Sequence, residues 1–361
     1  MIAATLSAGR PRWLLDLAGL GTDASYLARA LLRPSRHPLR RPRFAIVDFH
    51  VHLRGPFAGA WQRRSAADIV RVLDAVGVER VVDLDGTYDD GLGRELDKWS
   101  AISDRVVVFA GLRDETFAEV EASGEVEAER LRRSVAAGAR GLKIWKTLGM
   151  SVRDRTGALV AIDDSRLAPL WRAAEELRVP VLIHVADPVA FFQPLDRRNE
   201  RFDELRRHPE WHRPPGASPS HAALVAAFGR VLERHPGTTF VAAHLAALAH
   251  DLDRLSSLLD RHRNLHVDIS ASINELGRRP ATARRFFEGH SDRIVFGSDL
   301  PPSVQGYMPF LRFLETDDDD FSYSAARVPT QGRWRISGIN LKDDVLERVY
   351  TANATRLLDM A

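Results

Sequence analysis

Short apolar runs rich in β-branched residues alternate with helical stretches eight times between residue 44 and residue 361. We predict strands at residues 44–49, 78–84, 105–112, 141–145, 179–185, 238–243, 265–269 and 294–297. Runs such as residues 106–109 are apolar without a break, as expected for strands that are covered on both faces. Eight β/α alternations therefore predict a closed parallel (β/α)8 TIM barrel, whose chemistry would lie at the carboxyl ends of the strands.

Helical patterns and two long connections separate these strands. The predicted helices lie at residues 66–76, 116–137, 167–177, 222–234, 251–261 and 281–289. The connections at residues 187–217 and 300–340 exceed the ~2–6 residues that usually join a strand to its helix, so we expect both to overhang the mouth of the barrel. Aspartates 317–320 are interpreted as a solvated turn. An open doubly wound sheet is the alternative fold, but no glycine-rich phosphate-binding sequence follows the first strand.

The charge of the chain is unevenly distributed, although its net value is only +2. Residues 1–43 hold eight arginines and two aspartates, a net charge of +6, so residues 44–361 carry −4. We predict two parts, a basic N-terminal extension over residues 1–43 and a barrel over residues 44–361. Few aromatic residues interleave with these arginines, so nucleic acid is not an expected partner. The extension and the long loops favour a homo-oligomer.

Composition limits the location of the protein and the type of any metal site. No run approaches the ~20 apolar residues that a membrane-spanning helix needs, and the N-terminus lacks a secretory pattern, so we expect a cytoplasmic protein without a membrane partner. The chain contains no cysteine, which excludes disulfides. A metal would have to be held by His, Asp, Glu or a modified Lys, and such donors suit zinc, manganese or iron.

Five side chains at the predicted strand ends could meet around one metal ion. They are His50, His52, His184, His244 and Asp299. Because side chains alternate along a strand, His50 and His52 point in the same direction. Neutral imidazoles with one carboxylate leave an open coordination position, where a bound water has a pKa near ~7. The remaining histidines are assigned structural roles.

Four short segments together resemble the amidohydrolase superfamily, specifically the amidohydrolase-2 branch of metal-dependent hydrolases that are similar to aminocarboxymuconate-semialdehyde decarboxylase. The segments are Asp48-Phe49-His50-Val51-His52, Leu182-Ile183-His184, Ala242-Ala243-His244 and Phe296-Gly297-Ser298-Asp299. The resemblance spans residues 44–358. It implies that His50, His52, His184 and Asp299 hold a divalent metal, with zinc expected first and manganese or iron as alternatives.

The same resemblance implies an enzyme in which Asp299 transfers protons and His244 contacts the water, the substrate carbonyl or a second ion. We expect hydrolysis of an amide, lactone or related ester-like bond in a small-molecule substrate. Non-oxidative decarboxylation of an aromatic or unsaturated carboxylic acid is the alternative within enzymes, because that branch includes decarboxylases with the same ligands. A barrel that keeps its metal only as a binding scaffold is the third hypothesis.

Four further residues are candidates for substrate binding. Lys143, on the fourth predicted strand, could be a carboxylated lysine that bridges two metals, could bind an anionic group of the substrate, or could simply reach solvent. Arg54 and Arg278 follow the first and seventh strands and could pair with a carboxylate of the substrate. A structural salt bridge is the alternative for both arginines. Trp145 could form an apolar wall of the pocket.

Overall fold

Eight parallel strands pair in sequence order to form one sheet that curves into a barrel. The computed structural model describes residues 36–37, 39, 41–54, 58–329 and 331–360. The strands are Ile46–Val51 (β1), Val78–Thr87 (β2), Val106–Gly111 (β3), Leu142–Ile144 (β4), Val181–Ile183 (β5), Phe240–Ala242 (β6), Leu265–Asp268 (β7) and Ile294–Val295 (β8). The predicted (β/α)8 barrel is therefore confirmed.

Within the described residues, one helix of nine or more residues follows each strand. These helices are Ala66–Val76 (α1), Asp89–Trp99 (α2), Ser123–Ala137 (α3), Ala168–Glu176 (α4), His221–Arg234 (α5), Leu252–Arg261 (α6), Pro280–Gly289 (α7) and Val304–Glu315 (α8). Shorter helical segments are Thr116–Glu119, Thr147–Met150, Phe202–Arg207, Ile273–Leu276, Asp343–Glu347, Arg348–Ala352 and Asn353–Leu358. No described helix combines the length and apolar character that crossing a lipid bilayer requires.

Two helices were missing from the sequence interpretation, and the reason is residue propensity. Helix α2 contains Gly91 and Gly93, each of which disfavours a helix by about 1 kcal/mol relative to alanine. Helix α8 contains Pro309 in its interior and lies inside the connection over residues 300–340, which the sequence predicts as one long loop. In both cases the apolar face packs on the barrel and outweighs the weak local preference.

A β-bulge in β1 decides which way the two histidines of that strand point. Asp48 pairs with Val81 of β2 and Val51 pairs with Asp83, so three steps along β1 match two steps along β2. Before the bulge, Val47 packs inside the barrel, whereas after it Val51 packs between the sheet and the helices. The extra residue thus reverses the alternation, and the even-numbered His50 and His52 line the cavity at the mouth.

Asp48 closes the barrel between β1 and the segment that follows β8. Its carboxylate accepts hydrogen bonds from the backbone N–H of His50 (3.1 Å) and of Ser298 (3.0 Å), the hydroxyl of Ser298 (2.6 Å) and the hydroxyl of Tyr307 on α8 (2.6 Å). Backbone bonds join the same two segments, from Phe49 N–H to Phe296 O and from Asp299 N–H to His50 O. One fully buried carboxylate thereby positions both sides of the closure.

The compact unit that contains the barrel runs from Arg36 to Ala361. Arg43 donates to the carbonyl of Glu315 at the end of α8 and to the carboxylate of Asp343 (2.7 Å). Most of the predicted basic extension over residues 1–43 lies outside the described residues. The boundary between residues 43 and 44 therefore stays a prediction.

We predict that Asp48→Ala lowers the free energy of unfolding by about 3–5 kcal/mol, because it leaves several buried donors without an acceptor. Tyr307→Phe is the matched control, since it removes one donor while the carboxylate keeps three others, and about 1 kcal/mol is expected. Urea unfolding monitored by circular dichroism measures both. A loss below about 1 kcal/mol for Asp48→Ala would show that Asp48 does not hold the closure.

Candidate active site

Asp299 lies at the centre of a group of imidazoles at the carboxyl end of the barrel. Its Oδ1 atom is 3.4 Å from Nε2 of His50 and 3.4 Å from Nε2 of His52. His50, His244 and Asp299 each offer a ligand atom within 4.8 Å of the other two. The ring of His184 lies 4.6 Å from the ring of His244, measured between centroids. The five residues selected from the sequence are therefore brought together in space.

Two carboxylates orient the histidines of β1. Asp268, at the end of β7, accepts from Nδ1 of His50 at 2.8 Å, and Asp85, near the end of β2, accepts from Nδ1 of His52 at 3.2 Å. An ionised carboxylate can only accept, so each Nδ1 carries the proton and each Nε2 presents a lone pair. This arrangement is typical of metal-binding histidines, whose second nitrogen donates to a carboxylate.

His244 and His184 present their Nε2 atoms differently. Nδ1 of His244 donates to Ser270, through the carbonyl at 3.0 Å and the hydroxyl oxygen at 2.8 Å, because the Ser270 hydroxyl itself donates to Asp268. The Nε2 of His244 therefore also carries a lone pair. Nε2 of His184 is buried and has no hydrogen-bond partner. An unpaired buried nitrogen is unfavourable by about 1–3 kcal/mol, so it indicates a site that is completed by a ligand.

Left-handed backbone conformations follow three consecutive strands at this rim. His244 after β6 has φ of 53°, Ala271 after β7 has 49°, and Asp299 after β8 has 59°. Each such non-glycine residue costs about 1–2 kcal/mol. Gly297 permits the close approach of two strands, since a Cβ atom there would lie 3.0 Å from Cβ of His50. The strained turns direct the side chains that follow the strands toward one centre.

The electrostatics of the site favour neutral imidazoles at His50 and His184 beside an ionised Asp299, whereas hydrogen bonds to Asp299 and Asp85 outweigh burial and raise the pKa of His52. Burial, together with the nearby Lys143 cation, lowers the pKa of His50 to about 4. Burial also takes the pKa of His184 well below its usual value. Burial alone would raise the pKa of Asp299, but the imidazoles of His50 and His52 hold it well below its usual range. Neutral nitrogens and one carboxylate are the protonation states that a metal ion requires.

A cavity of about 520 Å³ opens directly above these residues. Trp145 lies against His52 with its ring nearly parallel, at a centroid distance of 5.1 Å, and Phe191 stacks on Trp211 at 6.2 Å. Lys146, Arg201 and other charged residues complete the walls. The cavity therefore combines aromatic faces with a few charged groups, as sites for small molecules do.

Lys143 is fully buried and lines this cavity. Its Nζ atom has no hydrogen-bond partner and lies 4.9 Å from the centre of the Trp145 ring. Burial lowers the pKa of Lys143 to about 8, whereas Asp299, Asp268 and Asp85 favour its charged form. Of the three roles considered for this lysine, exposure to solvent at a strand end is wrong.

Arg54 and Arg278 lie outside the lining of the cavity. Arg54 is 3.6 Å from the carboxylate of Glu95. Arg278 donates to Glu200 at 2.8 Å and lies 4.3 Å from the ring centre of Trp334. Both arginines thus form the salt bridges that were the alternative interpretation. The buried Arg201 lines the cavity instead and pairs with Glu204 and Glu275.

The aspartates at residues 317–320 do not form a solvated turn throughout. Asp318 is fully buried, and its carboxylate accepts from Nε of Arg312 at 2.6 Å and contacts Nδ1 of His37 at 2.6 Å. His37, Asp317 and Asp318 lie close enough to hold an ion, but the arginine already neutralises the buried carboxylate. This cluster therefore braces the end of α8.

Asp85 and Asp268 were not selected from the sequence. Both follow strand runs directly, as the chosen histidines do, in Val82-Asp83-Leu84-Asp85 and Val267-Asp268. A search for every ionisable residue at a predicted strand end would have found them. Aspartate is common after strands, however, so the position alone does not separate a residue that orients a histidine from a turn residue.

The amidohydrolase family profile matches residues 47–360, which is most of the chain. The chain belongs to the amidohydrolase family. The family match confirms the resemblance found in the sequence, and it identifies the protein as an enzyme. No curated protein matches the chain.

Solved structures with the same fold include decarboxylases and a hydrolase. A 2,6-dihydroxybenzoate decarboxylase in complex with 2,6-dihydroxybenzoate is 17% identical, with a TM-score of 0.55 over 88% of this chain and 99% of that one. A dihydroxybenzoic acid decarboxylase from Polaromonas sp. JS666, with manganese and 2-nitroresorcinol bound, is 15% identical, with a TM-score of 0.57 over 88% and 97%. A probable 2-pyrone-4,6-dicarboxylic acid hydrolase from Acinetobacter baumannii, with citric acid bound, is 14% identical, with a TM-score of 0.50 over 88% and 100%. At these identities the likeness shows the fold.

The donor set fits a divalent metal ion. The buried Nε2 of His184 lacks a partner, and Nε2 of His50 and of His52 is turned toward Asp299 by the carboxylates on the opposite nitrogens. Imidazoles with one carboxylate suit zinc, manganese or iron(II) alike, so these donors do not select one metal.

We predict that Asp85→Asn lowers metal affinity about 10- to 100-fold, because His52 loses the carboxylate that orients its ring. Titration calorimetry of the metal-free protein with Zn²⁺ or Mn²⁺ measures the change. Asp97→Asn, an exposed neighbour on α2, is the control and should bind as tightly as the wild type. Equal affinity in Asp85→Asn and the control would mean that Asp85 does not support the site.

Proposed function

We propose that this enzyme is a metal-dependent hydrolase that cleaves an amide, lactone or related ester-like bond of a small carboxylated compound. The observation that carries the proposal is the group of potential metal-ligand atoms at the barrel mouth. Asp299 Oδ1 lies beside the Nε2 atoms of His50 and His52, and the Nε2 atom of His184 is buried without a partner. Zinc is the proposed ion, with manganese or iron as alternatives.

The proposed reaction uses a water molecule and the carboxylate of Asp299. A divalent ion held by His50, His52, His184 and Asp299 would bring the pKa of a water molecule toward about 7 and so supply a nucleophile near neutral pH. Asp299 takes the proton of the attacking water and later delivers it to the leaving group. Water adds to the acyl carbon, the C–N or C–O bond breaks, and the leaving atom departs protonated.

His244 supports this reaction as a hydrogen-bond acceptor or as a ligand, through its Nε2 atom. Its Nδ1 atom donates to Ser270, so in the neutral ring the Nε2 atom carries a lone pair that can accept from a water molecule or bind a second ion, and it has no proton to donate to a substrate carbonyl. Of the roles considered for His244, contact with water or an ion is therefore favoured over polarisation of the carbonyl.

A flat anionic substrate suits the walls of the cavity. Trp145, Phe191 and Trp211 line the cavity, and their rings offer faces against which a planar group can stack. Lys143 Nζ is buried without a partner, and a carboxylate of the substrate would supply one. The second lysine, Lys146, already pairs with Asp187 at 2.5 Å. Lys143 is thus the proposed anion-binding residue.

Decarboxylation of an aromatic or unsaturated carboxylic acid is the second candidate. Aromatic residues line the cavity, and a poorly hydrated carboxylate favours a step in which its negative charge spreads onto the carbon skeleton as carbon dioxide leaves. There the C–C bond to the carboxylate breaks, carbon dioxide leaves, and the ring carbon takes a proton from an acid. Structures of the same fold that are described as decarboxylases support this alternative.

A panel of carboxylated amides, lactones and aromatic acids distinguishes the two reactions. We expect release of acid or amine, loss of that activity on chelation, and recovery with Zn²⁺ or Mn²⁺. Asp299→Asn should lower kcat about 10²- to 10⁴-fold, because the proton carrier is lost. Asp319→Asn, an exposed aspartate, is the matched control and should keep wild-type activity. Carbon dioxide release without hydrolysis would replace the first candidate by the second, and full activity of Asp299→Asn would refute the role of Asp299.

We predict that Lys143→Met lowers kcat/KM for carboxylated substrates about 10- to 100-fold, because a charged hydrogen bond is worth about 1.5–3 kcal/mol. Analogues that lack the carboxylate should be processed at nearly the wild-type rate. The exposed Lys342→Met provides a control for the loss of one positive charge. If Lys143→Met slowed both substrate classes equally, the lysine would act in the chemistry or in holding the metal and not in binding the anion.

A further inference from the structure

A second cavity of about 370 Å³ lies next to the main cavity. The two cavities share Ala271, Asp299 and Gln331 as lining residues. The second one extends away from the histidines, between the segment after β7 and helix α8. The side chain of Asp299 is 30% exposed and lines both cavities. A proton carrier of the proposed reaction therefore lies on the wall between two chambers.

The two chambers differ in chemical character. Among the described residues that line the second chamber, Asp299 is the only charged one. Its other walls combine apolar side chains with neutral polar ones, such as Ile273, Phe310, Tyr323 and Ser324. The main cavity contains several lysine, arginine and carboxylate side chains in addition to its aromatic faces. A ligand that occupied both chambers would thus have one charged end and one neutral end.

Gln331 offers unused hydrogen-bonding groups at the divide. Its side chain is half-buried, and no hydrogen bond joins its amide to any described residue. A primary amide has two N–H donors and a carbonyl acceptor, and here these groups are open to water or to a ligand. The nearby Ser298 hydroxyl is already used by Asp48. Gln331 is therefore the group at this divide that is ready to bind a ligand.

We propose that the second chamber binds the leaving-group half of the substrate, a neutral amine or alcohol component whose polar atom pairs with Gln331. The inference rests on the proposed hydrolysis, in which the carboxylated acyl half lies in the main cavity. Water adds to the acyl carbon, the C–N or C–O bond breaks between the chambers, and Asp299 delivers the proton to the atom on the second-chamber side. Carbon dioxide, with three atoms, would need no chamber of this size.

Binding of two probes to the metal-loaded full-length protein tests this inference without any turnover. The first probe is benzoate, for the main cavity, and the second is 4-hydroxybenzamide, a neutral hydrogen-bonding compound, for the second chamber. Ala325→Trp places a bulky ring at the edge of the second chamber and Ala249→Trp places one at the edge of the main cavity, so the two variants are matched in the residue removed and the residue introduced. Titration calorimetry gives each dissociation constant, with 4-hydroxybenzamide titrated in saturating benzoate.

We expect Ala325→Trp to weaken the binding of 4-hydroxybenzamide at least about tenfold and to change the affinity for benzoate by less than about twofold. Ala249→Trp should weaken the binding of benzoate to the same extent and leave the affinity for 4-hydroxybenzamide nearly unchanged. Gln331→Ala should weaken only 4-hydroxybenzamide, by about fivefold, whereas Gln193→Ala, at an exposed residue that lines neither chamber, should leave both affinities unchanged. The inference is overturned if 4-hydroxybenzamide does not bind in the presence of benzoate, or if Ala325→Trp leaves its affinity unchanged.

A kinetic comparison separates failure of this inference from failure of the proposed function. Monoamides of one benzenedicarboxylic acid are compared, with ammonia or benzylamine as the leaving group. The wild type should favour the benzylamide at least about tenfold in kcat/KM, and Ala325→Trp should remove that preference. Equal rates for both amides would refute the leaving-group role of the second chamber and leave the proposed hydrolysis intact. If each Trp variant weakens only its own probe but the enzyme releases only carbon dioxide, the proposed hydrolysis is refuted, and the leaving-group role of the second chamber is refuted with it.

Discussion

The buried carboxylate of Asp48 is the constraint on which the site depends. It accepts four hydrogen bonds, three of which tie β1 to the segment after β8 and to helix α8. The histidines of the first strand and Asp299 are almost 250 residues apart in sequence, yet they lie 3.4 Å apart because this closure places their segments side by side. A buried carboxylate without these donors would be strongly unfavourable, so the closure and the burial stabilise each other.

Two further carboxylates fix the orientation of the imidazoles that this closure brings close to Asp299. Asp268 and Asp85 hold the Nδ1 protons of His50 and His52, which leaves the Nε2 lone pairs facing Asp299. The left-handed turns after β6, β7 and β8 store strain at the same rim. Such strain persists only where surrounding contacts fix the backbone, and here the interstrand hydrogen bonds and buried carboxylates supply those contacts.

The barrel could be predicted from the sequence because its evidence is local and repeated eight times. Buried strands appear as short β-branched runs, and helix α1 has the predicted bounds because Ser65 caps it and its apolar residues follow the helical period. Helix α8 could not be predicted, since Pro309 argues against a helix locally while packing on the barrel stabilises one. Arg54 and Arg278 could not be placed, because a long side chain after a strand can reach either the cavity or a surface carboxylate.

The sequence by itself determined the order of the strands, the five residues at their ends and the absence of thiolate donors, because these follow from residue type and periodicity. Only the tertiary structure decided which face of β1 carries His50 and His52, since the bulge that reverses the alternation arises from pairing with β2. It also decided which carboxylates orient them and that a second chamber borders Asp299. Those features depend on contacts between segments that are distant along the chain, and side-chain periodicity carries no record of such contacts.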